Sequence, residues 1–152
     1  MSCRAGARGN DDHAEITVLG RGTDVSYASC ALPYFIGGEI TTEAPLRVQT
    51  PDSLARVLNI TVRTGTDAIA IDPHTRHVTA RNAEGIQELS YDALVLTPGA
   101  SPVLPPIPGL DTAPTTTLRT IDDAAHIRAH ATAGSTAVVI GGGFIGIEAA
   151  EA

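Results

Sequence analysis

Two groups of residues in this chain could do chemistry. The first is a thiol, Cys30, set in Asp24-Val25-Ser26-Tyr27-Ala28-Ser29-Cys30-Ala31-Leu32-Pro33-Tyr34-Phe35-Ile36-Gly37-Gly38. A polar run from Ser26 to Ser29 leads to it, and an apolar segment closing in a Gly-Gly turn follows. A helix opening in that segment would put Cys30 at its amino end. There, unpaired backbone N–H groups and the positive end of the macrodipole favour a thiolate, the form that attacks disulfides and peroxides. A free cysteine packed as a small hydrophobe is the competing reading, and this window alone leaves both open. The second group is Gly141-x-Gly143-x-x-Gly146, preceded by Thr136-Ala137-Val138-Val139-Ile140 and followed by Ile147-Glu148-Ala149-Ala150-Glu151. An apolar strand running through such glycines into a helix is the setting of a dinucleotide pyrophosphate loop. Gly141 permits the tight turn, Gly143 lets the backbone approach the phosphates, and Gly146 lets the helix pack on the strand. The helix N-terminus then offers its N–H groups to the anion.

The elements that must position these groups follow from local patterns. Residues Ala14 to Leu19 alternate into an apolar end, a short strand stopped by Gly20-Arg21-Gly22. Thr50-Pro51-Asp52-Ser53-Leu54 is a helix start: Thr50 can cap, Pro51 suits the first helical position, and Asp52 favours the dipole. Leu54, Val57 and Leu58 then form one apolar stripe. From Thr61 the pattern becomes β, with strands at Thr61–Thr64, Asp67–Ile71, Arg76–Arg81 and Ile86–Leu89 and turns at Asp72-Pro73-His74 and Asn82-Ala83-Glu84-Gly85. Tyr91-Asp92-Ala93-Leu94-Val95-Leu96 is a continuous apolar run, as expected of a strand covered on both faces. It ends at Thr97-Pro98-Gly99-Ala100, and a proline-rich connector follows. Residues Ile121 to His130 read as a helix with Asp122 and Asp123 in its first turn, stopped by Gly134-Ser135.

Composition narrows the classes of partner. The 152 residues include 17 acidic and 10 basic side chains, a formal charge of −7. No cluster of Lys or Arg marks a phosphate-neutralising surface, so no nucleic acid and no membrane is expected as a partner. No apolar run approaches the roughly 20 residues that span a bilayer, and no signal-peptide h-region follows Arg4 and Arg8. Two cysteines, Cys3 and Cys30, form no CxxC pair or disulfide framework, which suits a reducing cytoplasm. Cys3, in a loose leader, reads as an exposed bystander. His126 and His130, and His74 with His77, read as solvated surface histidines, since neither pair has ligands at zinc-type spacing. No metal is expected. For Tyr27 and Tyr34, which flank Cys30, core packing is the default.

The order of these pieces resembles a known family. Asp24 to Tyr34, then Thr97-Pro98-Gly99-Ala100-Ser101-Pro102, then Val138-Val139-Ile140-Gly141-Gly142-Gly143-Phe144-Ile145-Gly146-Ile147-Glu148 are similar to the single-cysteine branch of the pyridine nucleotide–disulfide oxidoreductases. Within it, the resemblance is nearest to coenzyme A-disulfide reductases and related NADH oxidases, peroxidases and persulfide reductases. It spans about Asp11 to Ala152.

The resemblance implies an α/β, FAD/NAD(P)-binding Rossmann-like fold, incomplete, with a β-meander insertion. Residues 1–120 would form a partial FAD-binding domain and residues 121–152 the start of an NAD(P)-binding domain. It implies FAD and NAD(P)H as cofactors, with hydride passing to flavin and then electrons to Cys30. Cys30 would cycle through a mixed disulfide with coenzyme A, or through a sulfenic acid in oxidase and peroxidase members. Ser26 and Ser29 match positions lining the thiol substrate site, and Thr97, Pro98, Gly99 and Ala100 match the turn that meets the flavin. Gly141, Gly142, Gly143 and Gly146 match the NAD(P)H pyrophosphate loop, while Phe144, Ile145 and Glu148 match residues near the nicotinamide. A small-molecule thiol or disulfide such as coenzyme A disulfide, a homodimer and a cytoplasmic location complete the expectation. Two features depart from the family. Gly6-Ala7-Arg8-Gly9 lacks the spacing and preceding strand of an FAD pyrophosphate loop, and Gly20 stands where the family has the ribose-binding Glu. The expected identity is an internal fragment of a longer reductase. A non-catalytic truncated remnant is the second reading.

Overall fold

A computed structural model describes residues 13–152; the expectations for the first ten residues, including Cys3, lie outside them. The strands are β1 (Ile16–Leu19), β2 (Ser26–Tyr27), β3 (Arg47–Gln49), β4 (Ile60–Arg63), β5 (Asp67–Asp72), β6 (His77–Asn82) and β7 (Gly85–Ser90). The helices are α1 (Leu32–Ile36), α2 (Pro51–Leu58), α3 (Ile121–His130) and α4 (Phe144–Glu151), with 3₁₀ turns at Ser29–Ala31 and Ala44–Leu46. The fold class is α/β, as the sequence implies. Contacts divide it into two compact units: residues up to Ser26 with Gln49–Thr97, and Tyr27–Val48 with Pro98–Ala152. β2 and β3, at which the chain changes unit, pair with each other.

In the first unit β1 pairs with β4 in parallel, Ile16 opposite Ile60 and Leu19 opposite Arg63. Parallel strands need a crossover, and α2, packed on β4, runs straight into it. The α2 start forms as its residues dictate. Thr50 Oγ1 accepts from Ser53 N at 3.2 Å, and Ser53 Oγ accepts from Thr50 N at 2.9 Å. Asn59, at φ 48°, closes the helix in the left-handed conformation that asparagine tolerates. Of the expected stripe, Leu54 is buried and Leu58 half-buried, whereas Val57 at its edge faces solvent.

The meander is antiparallel, in the order β5-β6-β7. Val78 and Ala80, two apart on the central strand, are its buried face. Both turns are closed by a side chain. Asn82 Oδ1 accepts from Glu84 N and Gly85 N, and Asp72 Oδ1 accepts from His74 N at 2.8 Å and Thr75 N at 3.3 Å. Hydrogen bonds from the Thr75 side chain first, then from the His74 and Thr75 amides, hold the Asp72 carboxyl below its ordinary value. A carboxyl depressed in the folded state tightens the turn at neutral pH and loses that contribution as pH falls through its folded value. Asp72→Ala is therefore expected to speed amide exchange at His74 and Thr75 at neutral pH. The wild-type turn should show the same acceleration only in acid, below the ordinary carboxylate value.

The second unit is built on Leu32, Phe35, Leu46, Ile121 and Ala124, all buried, with Tyr27, Ala31, Ile36, Ile40, Leu118 and Ala125 packed around them. α3 lies against α1. Its start is a second reciprocal cap: Thr120 Oγ1 accepts from Asp123 N, while Asp123 Oδ2 accepts from Thr120 N and Arg119 N. Asp123 is thus a helix-start residue, as expected.

Two expected strands do not form. Residues Tyr91–Leu96 and Thr136–Ile140 are irregular backbone. Their apolar side chains are open, with Val95 63% and Val138 84% exposed. A continuous apolar run encodes burial on two faces but not the partner that supplies the ladder, and no strand among the described residues lies beside either run. No helix among them is long and apolar enough to cross a membrane.

Candidate functional site

Cys30 occupies the 3₁₀ turn Ser29–Ala31, closed by Ala31 N donating to Ala28 O at 3.0 Å. The turn leads into α1, whose N-cap is Ala31 and whose second residue is Pro33. Cys30 and Ser29 are exposed. This removes the reading of Cys30 as a packed small hydrophobe. Ala28 N donates to Leu46 O at 2.9 Å, fixing the approach to the turn on a fully buried residue. Leu32 and Phe35 anchor α1 from below, so the thiol stands on a short helix held by core packing.

The two flanking tyrosines differ. Tyr27 packs against the core and its hydroxyl donates to Arg119 O at 3.0 Å. Tyr34 is 51% exposed. Ser26 lies half-buried in β2.

The glycine loop keeps half of its expected setting. The preceding strand is absent, but the helix α4 forms with Gly143 as N-cap. Gly141 has φ +128°, a region that side-chain-bearing residues avoid. A Cβ at Gly146 would collide with the Gly141 carbonyl and sit 3.4 Å from Val139 Cγ1. Gly142 and Gly143 face open space. The loop is therefore folded on itself at Gly146 and bare at Gly142 and Gly143, which fits a pyrophosphate approaching the backbone there. Phe144 is 88% exposed and Ile145 is also open to solvent.

Thr97, Pro98, Gly99 and Ala100 are all exposed irregular backbone. Gly99 has φ +75°, and a Cβ there would lie 3.6 Å from Arg119 Nη2. Gly20 does not fit a ribose: its N–H donates to Arg63 O, its carbonyl accepts from Thr66 N, and it has no side chain to offer.

Within the second unit one predicted site residue, Glu148, stands across a groove from α1, whereas Cys30 and the loop glycines do not line that groove. The groove is shallow, about 230 Å³, and is bordered by Pro33, Tyr34 and Gly37 on one side and by Glu148, Glu151 and Ala152 on the other, with Glu39 at its edge. The helix that Cys30 precedes and the helix that the glycine loop opens thus share one cleft. Sequence reading places Glu148 near the loop but gives no sign that it faces α1, because that depends on how the helices pack. Arg128, whose guanidinium donates to the backbone beside α1, and Arg119, whose carbonyl accepts from the Tyr27 hydroxyl, are also absent from the motifs. His126 and His130 are exposed, with His130 Nδ1 2.8 Å from His126 O. Among the described residues, no group of three or more His, Cys, Asp or Glu is placed to hold a metal ion.

Comparison with known proteins bears on this arrangement. The sequence profile described as pyridine nucleotide-disulphide oxidoreductase matches residues 1–152. An NADH oxidase of Enterococcus faecalis is 36% identical over 145 residues, covering 94% of this chain and 32% of its own length. A coenzyme A disulfide reductase of Staphylococcus haemolyticus is 34% identical over 156 residues, covering 99% and 34% respectively. The crystal structure of reduced Bacillus anthracis CoADR-RHD superposes with a TM-score of 0.91 at 37% identity, covering 99% of this chain and 28% of that one. The chain spans about a third of the length of the curated relatives it matches.

Proposed function

Because the chain belongs to the pyridine nucleotide-disulphide oxidoreductase family, we propose that it supplies the redox cysteine and the NAD(P)H loop of an FAD-dependent NAD(P)H:disulfide oxidoreductase. The family works with FAD and NAD(P)H. The acceptor in this reading is a thiol or disulfide of the coenzyme A disulfide class, and the setting is cytoplasmic. Residues 1–120 belong to the FAD-binding part and residues 121–152 open the NAD(P)-binding part. The observation that supports the reading is an exposed Cys30 in the turn that opens α1, together with a glycine loop in which a Cβ at Gly142 or Gly143 would meet no protein atom.

Each group then has a role set by its chemistry. Backbone N–H groups at Gly142 and Gly143 hold the NAD(P)H pyrophosphate where no side chain intervenes. Glu148, with Phe144 and Ile145, borders the nicotinamide side. Thr97 to Ala100 present open backbone to the flavin, which when bound relays an electron pair from NAD(P)H to the thiol side. Cys30 attacks a disulfide sulfur as thiolate, forming one new S–S bond while the other half of the disulfide leaves as thiolate. Ser26 and Ser29 offer hydroxyls to that substrate.

NADH and NADPH consumption by the FAD-loaded protein, followed with and without coenzyme A disulfide, tests this. Consumption that tracks the disulfide, with two free thiols released per nucleotide, is the expected result. Disulfide-independent consumption of dioxygen would favour the oxidase chemistry named for the Enterococcus faecalis relative. No consumption at all would favour the non-catalytic remnant.

A further inference from the structure

We infer that Arg128 is a positioning residue for Cys30. The inference rests on the proposal that Cys30 exchanges with disulfides. Arg128 stands on α3, opposite the far end of α1. Its Nη1 donates to Ile40 O at 3.0 Å and to Thr41 O at 3.3 Å, and its guanidinium carbon lies 4.8 Å over the centre of the Phe35 ring. One side chain therefore grips both the last turn of α1 and the loop that leaves it.

α1 needs such a grip. At five residues it is far too short to hold itself together, since isolated helices below about 12–15 residues are marginal in water. Its carboxy end runs out through Gly37 and Gly38, the latter at φ +86°, so the chain there has little stiffness of its own. Besides Arg128, the loop is tied back by Ile40 N donating to Tyr34 O at 3.0 Å. At the other end, Leu32 N donates to Ser29 O, which locks α1 to the 3₁₀ turn that carries Cys30. A helix of this length transmits a loose end directly to its other end. Loss of Arg128 frees the Ile40–Thr41 carbonyls and leaves α1 held by the packing of Leu32 and Phe35 and by the Ile40–Tyr34 bond, which widens the orientations open to the thiol. Lysine replaces the arginine poorly, because an ammonium bonded to both carbonyls leaves no guanidinium carbon over the Phe35 ring.

The test compares the rates at which Cys30 forms mixed disulfides with bulky, anionic coenzyme A disulfide and with small, neutral hydroxyethyl disulfide. Rates are read on the Cys30 peptide by mass spectrometry, in the full chain where each variant is folded. The ratio of the two rates isolates the surroundings of the thiol from its intrinsic reactivity. In the wild type this ratio is expected to differ about threefold or more from that of the chain unfolded in urea. Arg128→Ala should bring it to the urea value, and Arg128→Lys should move it at least halfway. Should the alanine variant not fold, the lysine variant decides. Wild-type ratios in the folded variants would overturn the role of Arg128 alone. A wild-type ratio equal to the urea value would overturn it together with the proposed role of Cys30.

Discussion

Replacing Gly146 with valine is expected to collapse the glycine loop and with it the affinity for NAD(P)H. A Cβ at this position has no room, because the Gly141 carbonyl already occupies the space and Val139 stands beside it. The obstacle is backbone, not the end of a flexible side chain, so the loop itself must move. Overpacking of this kind costs about 1–3 kcal/mol, which converts to roughly a 5- to 150-fold loss of affinity when the displaced loop is the binding element. Two alanine variants separate the loop's role from general damage. Gly143→Ala adds a Cβ that meets no protein atom, so stability should hold while a phosphate against the backbone is pushed away. Gly22→Ala, also in open space but outside the loop, should change neither. Titration of NAD(P)H onto the three variants, with thermal unfolding alongside, checks the pattern. Unchanged affinity in both Gly146→Val and Gly143→Ala would remove the loop from nucleotide binding.

Cys30→Ser is expected to reduce NAD(P)H-driven disulfide reduction by on the order of 10³-fold or more while NAD(P)H binding stays at the wild-type level. The two side chains are near-isosteric and Cys30 is exposed, so the substituted side chain has no packing to lose. What is lost is the nucleophile, since a serine hydroxyl does not exchange with a disulfide at neutral pH. The split between turnover and nucleotide binding matters here. A variant that lost both would point to misfolding of the unit built around Leu46 and Ile121, not to missing chemistry.

Features governed by neighbours in the chain were legible in the sequence. Thr50 and Thr120 each begin a helix through a cap three residues long, and Asp72 and Asn82 each close a turn with their own carboxyl or amide oxygen. These contacts need no tertiary information. The meander strands followed for the same reason, because their alternation and turns are local. The runs Tyr91–Leu96 and Thr136–Ile140 read as strands because apolar composition reports the wish to be buried, whereas a ladder requires a second strand at the right distance.

The site shows the same division. Cys30 and the glycine loop are short motifs that could be found by type and spacing, whereas the Thr97–Ala100 turn stood out only through the family resemblance. Whether Cys30 faced water or core could not be read from its window. That depended on Leu32 and Phe35, on the following turns of the same segment, pointing into a core completed by residues as distant as Ile121 and Ala124. The partners of Arg128 are backbone carbonyls far away in sequence, and carbonyls carry no sequence signature. Glu148 could be assigned to the loop by its position, but its place across a groove from α1 needed the packed helices.

The central claim is that Cys30 is the thiol that meets the disulfide. Incubation of the chain with coenzyme A disulfide, followed by peptide mass mapping, tests it most directly. One coenzyme A adduct is expected on the peptide containing Cys30, removed by dithiothreitol and absent from Cys30→Ser. An unmodified Cys30 peptide, with any adduct confined to Cys3, would contradict it.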